Sequence, residues 1–252
     1  MLKILTLNVN ADHDKHGAWT DRRELIRDLV AVNAPDIIAL QAVRRRSSGA
    51  NQLDQAAQLA EHLPGGLKAL FAPAGSENGA QDGPALLSSL PVGDSDTFPL
   101  TLTPDLDDST RRLVLYARFD LPSGFSLRLF NAHFSWVTAQ AGQNVQQAVY
   151  FMNQFPSPRI LVGDLNQPPE ADVLAPLREA GWTDAWAQVR QGQPGYTFEA
   201  GNWWTRIDYA WLDWELSQRL ADVAVVGSQP AADEVTYPSN HAGLLVSLDV
   251  ER

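Results

Sequence analysis

Apolar residues run almost unbroken from Met1 to Val9, a pattern that predicts a buried strand. Helical spacing follows over residues 19–33, with Thr20-Asp21 ahead of Glu24 as a start signal and Pro35 just past the end. Residues 36–40 form the next apolar run. The chain therefore opens β, α, β.

Residues 52–63 place Leu53, Ala56, Ala57, Leu59, Ala60 and Leu63 at helical spacing, closed by Pro64-Gly65-Gly66. The pattern then turns strand-like over residues 67–72, 85–89, 113–119 and 125–131, the last two joined as a hairpin through Pro122-Ser123-Gly124. Residues 76–83 are expected to be a loop. Helices are expected over 138–155 and 171–180, and strands over 159–162, 205–212, 222–226 and 244–248. No polar linker divides the chain, so residues 1–252 are expected to form a single domain. Mixed strand runs with helix-bearing connections in both halves suggest an α/β protein of two stacked sheets with helices outside.

Composition narrows the function classes. The chain has 252 residues, 44% hydrophobic and 19% charged. No stretch reaches the roughly 18 apolar residues of a membrane span, and the first ten residues do not form a secretory signal, so a soluble, cytoplasmic protein is expected. There are no cysteines, which excludes disulfides and thiolate metal sites. A net charge of −11 disfavours long duplex DNA, whose binding depends on Lys and Arg displacing counterions. Two tight arginine groups, Arg44-Arg45-Arg46 and Arg111-Arg112, read first as a solvated face and otherwise as a local anion-binding rim.

Four short segments could carry chemistry. Residues 159–162 run into Gly163-Asp164-Leu165-Asn166, where Asp164 could take a proton from water or hold a metal and Asn166 could hold a water or phosphate oxygen. Arg206-Ile207-Asp208-Tyr209 places an acid in an apolar strand, where it needs a partner if buried, and Ser239-Asn240-His241 offers one. Asn131-Ala132-His133 ends another strand. Taken singly, each of these, like Asn8, is as readily a turn, capping or core residue.

Their order is more informative. Asn8, the strand ending at Gln41, Asn131-Ala132-His133, Gly163-Asp164-Leu165-Asn166, Arg206-Ile207-Asp208-Tyr209 and Ser239-Asn240-His241 resemble the motif series of the endonuclease/exonuclease/phosphatase superfamily. The resemblance implies a four-layer α/β sandwich of two packed mixed sheets with helices outside, and a hydrolase cleaving phosphate esters with Mg²⁺ or Mn²⁺. By similarity, Asp164 would activate the attacking water, Asn166 would position it, and His241, held by Asp208, would stabilise the phosphoryl transition state. His133 would contact the phosphate or leaving group, and Asn8 and Asn240 would lie beside the metal. Trp136, Trp203, Trp204 and Arg206 are expected to contact substrate, a small phosphate ester or a short nucleic acid.

The chain also departs from that series. The family's Leu-Gln-Glu, whose Glu is the principal metal ligand, is here Leu40-Gln41-Ala42. Its Ser-Asp-His is Ser239-Asn240-His241, and an acid of the apurinic endonuclease-like branch is Asn10. Loss of the main carboxylate should weaken Mg²⁺ binding severely. Ala42 fits an inactivating substitution, a natural homologue that binds phosphate ligands without turnover, a scaffold with a relic pocket, or a site rebuilt from Asp12, His13, Asp14 or His16. The survival of the other site residues favours the first.

Overall fold

A computed structural model describes residues 1–46, 52–77 and 79–250. In the first half, β1 (Leu2–Asn8), α1 (Trp19–Asn33), β2 (Ile37–Arg46), α2 (Gln55–Ala60), β3 (Lys68–Phe71), β4 (Gly75–Glu77), β5 (Ala80–Ser88) and β6 (Val92–Pro99) follow in order. Then come β7 (Leu113–Asp120), β8 (Ser126–His133), α3 (Thr138–Met152), β9 (Arg159–Asp164), α4 (Ala175–Glu179), β10 (Thr183–Asp184) and α5 (Ala185–Val189). The chain ends with β11 (Asp208–Leu212), α6 (Trp214–Ser217), β12 (Leu220–Val226) and β13 (Gly243–Leu248).

The strands form two mixed sheets. One is ordered β12-β13-β1-β2-β5-β3, with β4 also on β5, and the other β10-β11-β9-β8-β7-β6. Strand β1 shows why its sequence is continuously apolar. Leu2 and Ile4 point into the core between the sheets, whereas Leu5 and Leu7 pack with Ile26 and Val30 of α1. On the second sheet, Phe130 and Leu161 face Val145, Ala148 and Met152 of α3. Helices thus cover both outer faces and complete the expected four-layer sandwich. Each fully buried Leu, Ile or Phe in these layers contributes roughly 1.5–3 kcal/mol. Among the described residues no helix is long and apolar enough to cross a membrane.

Several local expectations are corrected. Helix α1 starts after Ala18 with no side-chain cap, so Thr20-Asp21 lie inside its first turn. The second helix is shortened to α2, because Asp54 caps it by accepting from the Ala57 amide. The expected loop over 76–83 is corrected in its described residues, where β4 and β5 pair as antiparallel strands; residue 78 lies outside the described residues. The expected helix over 171–180 is divided into a 3-10 turn, Asp172–Leu174, and α4, where Pro176 in the first turn lacks the amide that would continue a helix from upstream. Strand β6 had no sequence signal, because this edge strand is mostly exposed and held by backbone pairing with β7.

Candidate functional site

Strand direction gathers the polar strand ends. The parallel pairs β1/β2 and β8/β9 finish at Asn8, His133 and Asp164, while β11, antiparallel to β9, begins there with Asp208 opposite Asp164. Next to β13, His241 pairs with Phe198 in an isolated bridge and lies 4.9 Å from its ring. One end of the sandwich therefore collects residues far apart in sequence.

Asp164 is the hub. Its Oδ2 accepts from Asn8 Nδ2 at 2.8 Å and lies 3.4 Å from His133 Nε2 and 3.7 Å from His241 Nε2. Its Oδ1 accepts from the Asn166 amide at 2.9 Å, which fixes the turn in which Asn166 takes a left-handed φ of 54°. The Asn166 side chain donates to Phe134 O at 2.8 Å, leaving its Oδ1 as an acceptor.

Behind the hub, His241 Nδ1 donates to Asp208 Oδ2 at 2.9 Å, and both side chains are buried. The pairing foreseen between these two residues is present. Burial by itself would push the His241 ring down, but the Asp208 and Asp164 charges and the Asp208 hydrogen bond outweigh it and raise the pKa to about 9. His241 is then an imidazolium at neutral pH. His133 goes the other way: burial, with the Arg112 charge, holds its pKa well below the ordinary value and keeps the ring neutral.

The frame beneath is polar and buried. Gln41 Nε2 donates to Asn131 Oδ1 at 2.7 Å and to Thr6 Oγ1 at 3.0 Å, while Asn131 Nδ2 donates to the carbonyls of Leu40 and Ala85. This bridge ties the two sheets together under the site. Ser239 Oγ donates to Asn8 O at 2.5 Å and accepts from the His241 amide, fastening the histidine loop to β1.

Ala42 stands in a β-bulge. The β2/β5 register passes from Leu40↔Ala85 to Val43↔Gly83, and Ala42 has a φ of 52°. It lines the same cavity as Asn8, Asn10, His13, Arg44, Arg111, Arg112 and His133, about 280 Å³ in volume. The methyl group offers no ligand there. Of the nearby acids, Asp12 is paired with Arg44 and Arg46, and Asp82 with Arg44. Asn8 is committed at both ends, since its Oδ1 accepts from the Asn10 amide.

Asp164, Asp208 and His241 bring ligand atoms within 4.8 Å of one another and could bind a metal. Two of these three are hydrogen-bonded to each other. A hard divalent cation is held through one or two free carboxylates plus waters, and the cavity at Ala42 sets three guanidinium groups beside a lining carboxylate, Asp82, that is already paired with Arg44. The residues present do not fit Mg²⁺ or Mn²⁺ at that position.

The other residues expected to contact substrate or metal do not line the Ala42 cavity, although Trp204 packs on Phe198, the ring against His241. Arg206 is paired with Asp184 at 2.7 Å and stacked over Tyr209, and with Trp204 it lines a different cavity beside Tyr196 and Arg190. Trp203 packs edge-on against Tyr237. Trp136 is half-exposed, and the Asn240 side chain accepts from Ser239 Oγ at 3.3 Å; neither lines the Ala42 cavity. Sequence reasoning missed Arg22, a buried residue of α1 whose guanidinium donates to the carbonyls of Val9, Ala11 and Gly17 and so holds the loop carrying Asn10. Its helix periodicity marks the buried face, but only an unusual residue on that face signals the clamp.

A two-sheet sandwich with a carboxylate hub and a buried Asp–His pair at one end is the architecture of a phosphoester-hydrolase superfamily. A model of the Endonuclease/Exonuclease/phosphatase family matches residues 5–241, and the chain belongs to that family. An endonuclease/exonuclease/phosphatase family protein from Leptotrichia buccalis C-1013-b is similar in structure, with a TM-score of 0.80 at 18% identity over 99% of this chain and 100% of that one. A mannosyl-6-phosphatase from Bacteroides thetaiotaomicron VPI-5482 gives 0.79 at 18% identity, over 99% and 100%. A 3' phosphatase from Neisseria, NExo, bound to product DNA hairpin, gives 0.71 at 20% identity, over 99% and 100%. A comparison with curated proteins gives no match.

Proposed function

We propose that this chain hydrolyses phosphate esters at the Asp164 centre, with turnover depressed by the missing carboxylate at Ala42. The observation that supports this reading is the intact chain Asp208–His241–Asp164, with 2.9 Å and 3.7 Å separations, in which an imidazolium stands beside a carboxylate. In this reading Asp164 takes the proton of the attacking water as the new O–P bond forms, and the ester P–O bond breaks with its electron pair passing to the leaving oxygen, which takes a proton from solvent. Asn166 Oδ1 orients that water. His241 Nε2 donates to the phosphoryl oxygen as charge grows there, and Asp208 holds the ring. Neutral His133 faces the phosphate or leaving group, with the exposed Trp136 nearby in sequence as the aromatic candidate. None of these steps passes through Mg²⁺ or Mn²⁺.

The net charge of −11 favours a small phosphate ester or a short single strand over duplex DNA. A second reading, phosphate binding without turnover, is favoured by one observation, the methyl group of Ala42 in place of the family's ligand. Hydrolysis of aryl phosphomonoesters and diesters, with EDTA or with added Mg²⁺ or Mn²⁺, separates the two. The hydrolase reading expects slow turnover that falls by at least about a hundredfold in Asp164→Asn and His241→Ala. Rates equal to those of the variants would leave only binding.

A further inference from the structure

The cavity at Ala42 is shared between two kinds of wall. Asn8 and His133 connect it to the Asp164 centre, and Arg44, Arg111, Arg112 and Thr110 line it together with one carboxylate, Asp82, which is paired with Arg44. Its volume, about 280 Å³, is near the lower end of the roughly 300–1,000 Å³ of small-molecule pockets.

The arginines differ in what they have left to offer. Arg44 is neutralised by Asp12 and Asp82. Arg112 donates through Nη2 to Asp108 at 2.9 Å, and Asp108 is itself fixed by Ser135 Oγ at 2.6 Å and the Thr110 amide at 2.9 Å. The Arg112 side chain is only 9% exposed, yet its Nε has no acceptor. A buried donor left unsatisfied costs about 1–3 kcal/mol; this Nε is sealed from solvent, so an oxygen recovers that interaction only when the Arg112 head turns toward the cavity it lines. Arg111 is exposed, lays its stem against Gly75, and has no carboxylate partner among the described residues. One guanidinium thus lines the cavity with a donor short of a partner, and its neighbour carries an uncompensated charge.

These groups share the cavity with Ala42, the position at which the resemblance expects the principal metal ligand. At the positions where the resemblance expects acids, Asn10 and Ala42 are uncharged. We propose that Arg111 and Arg112 form a metal-independent receptor for a phosphate group, taking the place of the cation that Ala42 cannot hold. Guanidinium suits this task, because its planar fork matches two phosphate oxygens and its charge does not depend on a bound ion. That the phosphate belongs to a hydrolysable ester rests on the proposed function; the binding itself does not require turnover.

The test is calorimetric titration of the full chain with inorganic phosphate in EDTA. Saturable binding is expected, with the same affinity when Mg²⁺ is added. Arg111→Gln, at an exposed position that leaves the buried network intact, should weaken it about tenfold, in line with a lost charged hydrogen bond. Arg112→Lys should also weaken it, because the ammonium cannot keep both the Asp108 contact and the Nε donor. Arg45→Gln, whose parent side chain bonds to Gln81 and stacks on Phe71 outside the cavity, should bind as the parent does. Saturation only with Mg²⁺ or Mn²⁺ would overturn the proposal, as would no saturation or an unchanged affinity in Arg111→Gln. Phosphate binding in EDTA together with hydrolysis indifferent to Asp164→Asn would defeat the hydrolase reading and leave the receptor standing; the reverse pattern would do the opposite.

Discussion

Replacing Asp208 with Asn removes the charge that keeps His241 protonated while preserving the size of the side chain. In the folded protein the ring titrates at about 9 against an ordinary 6.5, and at roughly 1.4 kcal/mol per unit this is worth about 3 kcal/mol of stability. The sign follows from the raised value. Below about 6.5 both folded and unfolded chains carry the proton and the contribution is complete; it declines as pH rises and is lost through about 9. Asp208→Asn should therefore be less stable than the parent by a few kcal/mol near pH 6.5, Asp164 retaining part of the effect, and the gap should narrow as pH approaches 9. Urea unfolding of both proteins from about pH 6 to 9 measures the gap, and the titrating groups common to both cancel in the difference. Nitrogen NMR of the imidazoles locates the titration itself. A gap that does not change with pH, or a parent His241 that titrates at or below the ordinary value, would refute the electrostatic account of the pair.

Two further outcomes are expected. Ala42→Glu should create metal-dependent hydrolysis that the parent lacks, with about tenfold in rate for each 1.4 kcal/mol of recovered transition-state stabilisation; equal metal-dependent rates for the two forms would show that position 42 is not the missing ligand. Gly163→Ala should cost at least about 3 kcal/mol in chemical denaturation, because Gly163 has a φ of 137° and an added Cβ would sit 1.9 Å from the Ala132 carbonyl across the β8/β9 seam; an unchanged midpoint would show that the seam can yield.

The layers were legible from the order of residues alone. Strand β1 is apolar on both faces because one face meets α1 and the other meets the second sheet, and a helix of 3.6-residue period over Trp19–Asn33 buries Arg22, Ile26 and Val30 along one line. The β7–β8 hairpin was legible because Gly124 supplies the positive φ its turn requires. The members of the candidate centre were legible too, since Asn8, His133 and Asp164 each end an apolar run, and Asp208 interrupts one.

Which polar groups remain free was settled only by the packing of the two sheets. Nothing in the order Trp203-Trp204-Thr205-Arg206 tells that Asp184 consumes the Arg206 charge, or that Asp12 and Asp82 are held by Arg44 and so withheld from a metal. The edge strand β6 was equally hidden, because backbone hydrogen bonds carry no side-chain signature. Periodicity reports burial, a property of each residue and its near neighbours along an element. The availability of a charge depends on a partner distant in sequence, and only the packed sheets bring that partner within hydrogen-bonding distance.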